Sequence, residues 1–507
     1  MDAIWYDLGR HADDYEAQVT LLTLAGLVNR QGPRLMLDTD FQPDWTGADR
    51  RWRQIYSEKH GITFRDCQSL AELLQTFEVA GRVTYDPDLD ASRWVAVTIA
   101  TLRGWLPVPA SKAPDELYDL PETEDLCGRW ARGQDAYDWA IAELLPLCSK
   151  SLAFEAGHSY NDVNLGHDMG VHLALDYAVR ERCFAFNLSP CPTEDSYDHE
   201  KEKVSAYPEH VETMRRIMAE MDPMAGVVGW AEPEWTLIER LSEWGHYLIC
   251  GRAQNLSFHA SVPAKGGKLR QKAIAKSVSG EGLTPAAVMV SEGDAPRVLT
   301  SFYGGAWEHP KRGSIPVNWG INPLFAEMFP AMYAYYFDTA SENDYFYAGT
   351  SGAGYTLIDE LPEEGLLAFA ERTAKYCRLS DISVIHAWDK TEAVRQRYDV
   401  YGRIAKPAMF VVLPREDAKN VRLPCGIPMT IPDSELHYKS VGPEDTPGYM
   451  RQAMEKRPTA FRIIYTSPGA TFMQRWTATA DAMEELGVRP VLLPEIARLA
   501  AGQAESE

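Results

Sequence analysis

AAVMVSEGDAPR, Ala286 to Arg297, decides the fold of this chain. A run of small and β-branched apolar residues leads into two carboxylates, Glu292 and Asp294, on either side of Gly293. Apolar runs of this length, bounded by turn residues, read as strands buried on both faces. Charged groups just past such a strand lie at its C-terminal edge, where parallel α/β folds build their sites. The stretch continues through RGSIPVNWGINP (Arg312 to Pro323) and the aromatic run FPAMYAYYFD (Phe329 to Asp338). It closes with ENDYFYAGTSGAGYTLIDELP (Glu342 to Pro362), in which a strand over Tyr345–Ala348 enters a loop holding Gly349, Gly352 and Gly354. Glycines so closely spaced let backbone approach a ligand or make a tight turn.

Moving outward, the same rhythm repeats. Strand-like runs begin at Ser151, Cys183, Gly226, Tyr247, Ala287, Tyr345, Ile382, Ala408 and Phe461. Most end in polar residues, and most are spaced widely enough for a helix between them. A (β/α)-barrel is the simplest architecture with that spacing. Before residue 150 the alternation is tighter. Ile4–Leu8, Arg34–Asp38, Ile62–Phe64, Arg82–Tyr85 and Leu106–Val108 read as strands, and helical patterns at Asp13–Asn29, Ser69–Glu78 and Asp90–Leu102 separate them. Strands alternating with helices imply parallel packing. The expected fold class is therefore α/β: small N-terminal α/β domains over 1–150, then a C-terminal (β/α)-barrel-like domain over 151–500. No glycine-rich dinucleotide fingerprint or phosphate loop occurs in the first part.

Composition narrows the partners. The chain has 507 residues, 45% of them hydrophobic, which suits roughly two to four globular units. Acidic residues number 73 against 50 basic ones, for a formal charge of −23. A field of that sign repels nucleic-acid backbones and anionic bilayers, whereas a small neutral carbohydrate is compatible with it. Eight scattered cysteines show no zinc-like spacing and suit reduced thiols. The start, MDAIWYDLGR, lacks a basic segment followed by an apolar core, and no run approaches the ~18 apolar residues of a membrane span. The expected location is cytoplasmic. The oligomeric state is not legible.

These motifs also carry a resemblance. SEGDA (Ser291 to Ala295), RGSIPVNW (Arg312 to Trp319) and GAGYTLI (Gly352 to Ile358) resemble, in order and spacing, the signatures of the GxGYxYP family, which is labelled as glycoside hydrolases. LAGLVNRQGPRLML (Leu24 to Leu37) is similar to the family's opening, and QNLSFH (Gln254 to His259) to its NLS-like run. Glu292 and Ala295 stand where the family pattern has Asp and Asn, and Leu357 and Ile358 where it has Tyr and Pro. The resemblance implies hydrolysis of a glycosidic bond.

That chemistry needs two carboxyl groups, one acid and one base or nucleophile. In a barrel, Asp294, Glu232 (in VVGWAEPEW) and Glu292 all lie at the open end, with Asp294 and Glu232 the first choice as a pair. The competing reading makes Glu232 or Glu234 the cap of a helix N-terminus. Amides read sugar hydroxyls because they both donate and accept, which nominates Asn161 and Asn255, with Asp162 beside the former. Trp230, Trp319 and Tyr355 could stack on a sugar face. Asp344, Ser351, Gly354 and His386 complete the expected substrate contacts, and Asp389 could pair with His386. No metal is expected: Ala295 removes an oxygen ligand from the acidic turn, although clustered carboxylates can hold a divalent cation. The basic run at Lys265, Lys268, Arg270, Lys272 and Lys276 reads as a solvated face. Two other functions stay open: a sugar-binding protein without hydrolytic activity, and an intracellular biosynthetic enzyme acting on a small glycoside-like metabolite.

Overall fold

The computed structural model describes residues 1–40, 47–158, 174–194, 204–251, 253, 255–273, 283–291, 293–389, 395–413, 420–432, 448, 451, 461–466 and 472–503. The chain divides into two compact units. The first comprises Met1–Lys265 with Phe329–Ala331, and the second Gly266–Met328 with Met332–Glu507.

The first unit contains three parallel sheets. Strands β1 (Asp2–Asp7), β2 (Leu35–Asp38) and β3 (Thr63–Cys67) pair in the order β2-β1-β3. Strands β4 (Arg82–Tyr85), β5 (Leu106–Pro109) and β6 (Glu122–Asp125) pair as β5-β4-β6. Strands β7 (Leu152–His158), β8 (Phe184–Phe186), β9 (Gly226–Ala231) and β10 (Tyr247–Cys250) follow as β10-β9-β7-β8. Two of the unit's helices start at a side-chain acceptor. The Asp14 carboxylate accepts from Ala17 N ahead of Tyr15–Val28, and the Ser69 hydroxyl accepts from Glu72 N ahead of Leu70–Phe77.

The second unit is built on one sheet. Its strands are β11 (Thr284–Val290), β12 (Val317–Ile321), β13 (Asp344–Ala348), β14 (Val384–Ala387), β15 (Met409–Val412), β16 (Val421–Arg422), β17 (Pro428–Thr430), β18 (Arg462–Thr466) and β19 (Val488–Pro490). The order is β16-β17-β15-β14-β13-β12-β11-β18, with β19 also on β11, and among the described residues only the β16–β17 pair is antiparallel. Alternate residues of five strands (Ala287 and Met289, Tyr345 and Tyr347, Val384, Met409 and Val411, Ile463) share one buried cluster with Leu493, Ile496 and Ala497 of the helix Leu493–Gln503. The sheet thus curls around that helix as a half-barrel.

The sequence expectation is met in its coarse form, mixed α/β with parallel sheets. In detail it differs. The strands at 152–250, read as part of one barrel, pair among themselves in a separate four-stranded sheet of the first unit. Strand β12 was not anticipated, because Pro316, Asn318 and Gly320 break its apolar pattern. Asn318 belongs there nonetheless: its amide donates to Val288 O (2.8 Å) and its carbonyl accepts from Leu493 N (2.8 Å). That side chain ties β12 to β11 and to the first residue of the C-terminal helix. No helix among the described residues is long and apolar enough to cross a membrane.

Candidate functional site

Three central strands of the half-barrel, β11, β12 and β13, run parallel and end side by side. Past β11 the chain crosses so close to β12 that a Cβ on Gly293 would lie 2.4 Å from Gly320 C and Ile321 N. Gly349, after β13, packs on Gly293 in turn, with a Cβ position 3.1 Å from its Cα. Only glycine fits this crossing, which explains the SEGDA turn as geometry as much as chemistry. Asp294, the next residue, is half-buried at this edge.

Around it lie groups that local sequence did not single out. Asn322, one residue past β12, is fully buried. Its carbonyl oxygen accepts from Leu324 N (3.0 Å), while its amide nitrogen has no partner among the described residues. Thr350, two residues past β13, is buried in the left-handed region (φ 46°), and its hydroxyl likewise lacks a partner there. Ser351 follows at φ 73°, fixed by its N–H to His386 O (2.7 Å) and its hydroxyl to Thr356 O (2.6 Å). Two successive non-glycine residues in that region are strained.

On β14, His386 is buried, and its Nδ1 accepts from Trp388 Nε1 (3.3 Å), which puts the proton of a neutral ring on Nε2. Asp389 is buried and accepts from Tyr398 OH (2.8 Å). The expected Asp294, Ser351, Gly354, Tyr355 and His386 thus all sit at or just beyond the C-terminal ends of this sheet's strands. Of these, Tyr355 is buried edge-on against Trp388 (5.3 Å), so its ring face is not offered to a sugar. Gly352 has a packing reason: a Cβ there would lie 2.5 Å from Tyr401 OH.

Other expected contacts turn out to be structural. Trp319 is fully buried, donates from Nε1 to Asp344 Oδ1 (2.9 Å), and packs against Tyr303, Trp307 and Phe472. Asp344 opens β13, so it lies at the opposite edge from Asp294. Its Oδ2 takes Arg312 (2.6 Å), Ser341 N (2.8 Å) and Ser341 Oγ (2.7 Å). The RGSIP motif is therefore the partner of a buried carboxylate.

In the first unit, Glu232 accepts from Trp230 Nε1 (2.9 Å) and, with its other oxygen, from Glu234 N (3.2 Å) at the start of the helix Glu234–Glu243. Both Glu232 and Trp230 thus have local structural work. Asn255 does not read a ligand either. Its Oδ1 accepts from Leu37 N, and its Nδ2 donates to Leu37 O (both 2.8 Å) and to Asp49 (3.0 Å). Asn29 closes the same edge strand at Leu35 through both ends of its amide. Asn161, Asp162 and Glu292 lie outside the described residues.

Sequence reading missed one acidic cluster. Asp38, Asp40 and Asp49 bring oxygens within 4.8 Å of one another. Those oxygens have protein partners. Asp49 accepts from Thr39 and Asn255, Asp40 accepts from the backbone of Asp49 and Arg50, and Asp38 accepts from the Arg50 guanidinium (3.2 Å). Burial, then the Asp40 charge, pushes the Asp49 carboxyl up to about 7. Arg50 supplies the counter-charge that a cation would bring, so the cluster reads as the cap of the helix Ala48–Ile55. The spacing Asp-x-Asp at the end of β2 was the signal available for it.

A parallel α/β protein with a polar cluster at the strand ends of its C-terminal unit is the class this defines. Family models of the GxGYxYP group match most of the chain between residues 6 and 418: its first domain at 6–79, its second at 79–148, its third at 160–261, and the "GxGYxYP putative glycoside hydrolase C-terminal domain" at 286–418. The chain belongs to the GxGYxYP family. Its fold is similar to that of a crystal structure described as a "putative hydrolase from Bacteroides thetaiotaomicron VPI-5482", with TM-score 0.79, 18% identity, and coverage of 100% of this chain and 95% of that one. A "putative polysaccharide deacetylase from Mycobacterium smegmatis" aligns over 46% of this chain and 95% of its own, at 13% identity and TM-score 0.34, too low to bear on the fold. No curated protein matches the chain.

Proposed function

We propose that the protein is a carbohydrate-active hydrolase that cleaves a glycosidic bond at the C-terminal edge of its barrel-like unit. Asp294 acts as one member of the acid/base pair. The observation that carries this reading is the backbone crossing at Gly293 and Gly349, which sets a half-buried carboxylate beside the ends of three parallel strands. Strand ends of parallel sheets are where α/β folds place ligands. The family name supports glycoside hydrolysis as the reaction. For the second carboxyl group, Glu292 ranks ahead of Glu232. It stands two residues from Asp294 in the sequence, whereas both oxygens of Glu232 are engaged by Trp230 and a helix start. The proposed substrate is a small neutral carbohydrate.

The test is turnover of a panel of 4-nitrophenyl glycosides and oligosaccharides by wild type, Asp294→Asn, Glu292→Gln and Glu232→Gln, each with and without a chelator. Wild type is expected to cleave at least one member. Asp294→Asn and Glu292→Gln should each lose about 10²-fold or more in kcat, with no effect of chelator. Glu232→Gln is expected to retain most of the activity. Binding of a sugar without cleavage would sink the hydrolase reading and leave a sugar-binding protein.

A further inference from the structure

We infer that Asn322 and Thr350 are substrate-positioning donors of this edge, reserved for an uncharged oxygen of a polyhydroxyl ligand; the inference rests on the strand-edge site proposed above. Both side chains are at least nine-tenths buried, on adjacent strand ends. The β12–β13 ladder sets Ile321 opposite Ala348, and Gly349 N bonds Ile321 O (3.1 Å), so the two loops leave the sheet together. Each side chain is costly where it stands. Asn322 needs only its carbonyl oxygen for the turn to Leu324, and serine would supply that acceptor. The amide nitrogen is then a buried donor with no protein partner among the described residues. Thr350 is β-branched at φ 46°, where glycine or asparagine sits at ease, and its hydroxyl bonds no described group either.

Buried donors without partners are rare in folded chains, and two at one strand edge beside a half-buried carboxylate point to a ligand that completes them. An amide and a hydroxyl are neutral. With Asp294 and Asp389 at the same set of strand ends, they favour a hydroxyl or other neutral oxygen over a carboxylate or phosphate.

The test uses the full chain and two variants, Thr350→Val, which keeps the shape and the backbone strain, and Asn322→Ser, which keeps the turn acceptor. Thermal unfolding is recorded for each. Binding of methyl β-glucoside, methyl β-galactoside, methyl α-mannoside and glucuronate is followed by calorimetry, and KM and kcat are measured on any glycoside that wild type cleaves. The expected result is an unchanged or higher Tm in both variants, with Kd or KM weakened about tenfold for the neutral sugar and no binding of glucuronate. A drop of several degrees in the Tm of Thr350→Val would show the hydroxyl to be structural and overturn the inference, even if Asn322→Ser fails to fold. Cleavage with unchanged KM in both variants overturns it while leaving the hydrolase intact. A wild type that engages none of the probes sinks both readings together. Glucuronate bound in preference to the neutral sugars removes the ligand class named here.

Discussion

Strand β13 has a carboxylate at its first residue and a hydroxyl two residues beyond its last, and the two ends differ in how their polar groups are answered. At the start, Asp344 is buried and collects Arg312, Trp319 and two donors of Ser341. Past the end, Thr350 is buried and its hydroxyl collects none among the described residues, as does the amide of neighbouring Asn322. Both ends lie in motifs that read as polar and interesting in the sequence. Partner accounting separates them: a saturated buried charge holds the fold, while buried donors left over at a strand end are what a ligand uses.

The largest effect that sharpens this contrast is at the saturated end. Arg312→Ala leaves the Asp344 charge buried without its cation, and removing one member of a buried pair costs about 3–5 kcal/mol. Denaturant unfolding of the variant should show that loss. Activity per folded molecule should stay near wild type, since the other partners of Arg312 among the described residues are Trp307 O, the Trp307 ring and Thr339 O, at the start of β13. A variant of near-normal stability that had lost turnover would move RGSIP back into the site and reverse the comparison.

The same contrast explains what the sequence disclosed. Apolar runs located the strands because burial on both faces leaves a plain compositional trace, and β4 was read to the residue. Asp294, Ser351 and His386 could be placed at the sheet edge because polar residues after such runs mark it. Trp319, Asp344 and Asn255 were assigned to the ligand although the fold claims them. Apart from the Ser341 donors to Asp344, their partners are 25 to 218 residues away in sequence, and no local pattern reveals a bond of that span. Asn322 was passed over for the opposite reason: GINP announces a turn, which it is, and conceals that half the amide is left over. Thr350 lay inside the quoted glycine loop and was hidden by the glycines around it.

An unanswered buried atom is not enough by itself, and Asp176 in the first unit is the control. It is fully buried in the helix Leu175–Arg180, with Oδ2 accepting from Ser257 N (2.8 Å) and Oδ1 unanswered among the described residues, yet it is not at a strand end. Burial raises its carboxyl to about 6. Because the folded pKa lies above the unfolded value, the folded state holds the extra proton between about pH 4 and 6. Stability from this group is present below that window and is lost as pH rises through it, by about 3 kcal/mol for a shift of some two units. Asp49 adds the same sign, while His259, lowered to about 3 by burial, acts oppositely as pH falls below its ordinary value. The difference between wild type and Asp176→Asn therefore isolates the group. The variant should gain on wild type from pH 4 to pH 7 in unfolding free energy. Lost sugar binding in Asp176→Asn would show that unanswered groups away from strand ends also serve the ligand, and would blunt the criterion used for Asn322.

The smallest effect concerns the strain at Thr350. Elsewhere in a folded chain, replacing a non-glycine residue by glycine costs about 1 kcal/mol, because the unfolded chain gains freedom. At φ 46° the native backbone penalises threonine by a comparable or larger amount, and glycine escapes it. The two terms offset, so Thr350→Gly should come out at or about 0.5 kcal/mol above wild type in stability while losing the hydroxyl. Thr350→Val keeps the strain and loses the same hydroxyl, so the gap between the two variants measures the strain net of glycine's unfolded-state freedom and its lost methyl contacts. A Thr350→Gly protein destabilised by more than about 1 kcal/mol would mean that the side chain packs for stability. The open end of β13 would then be as structural as its closed one.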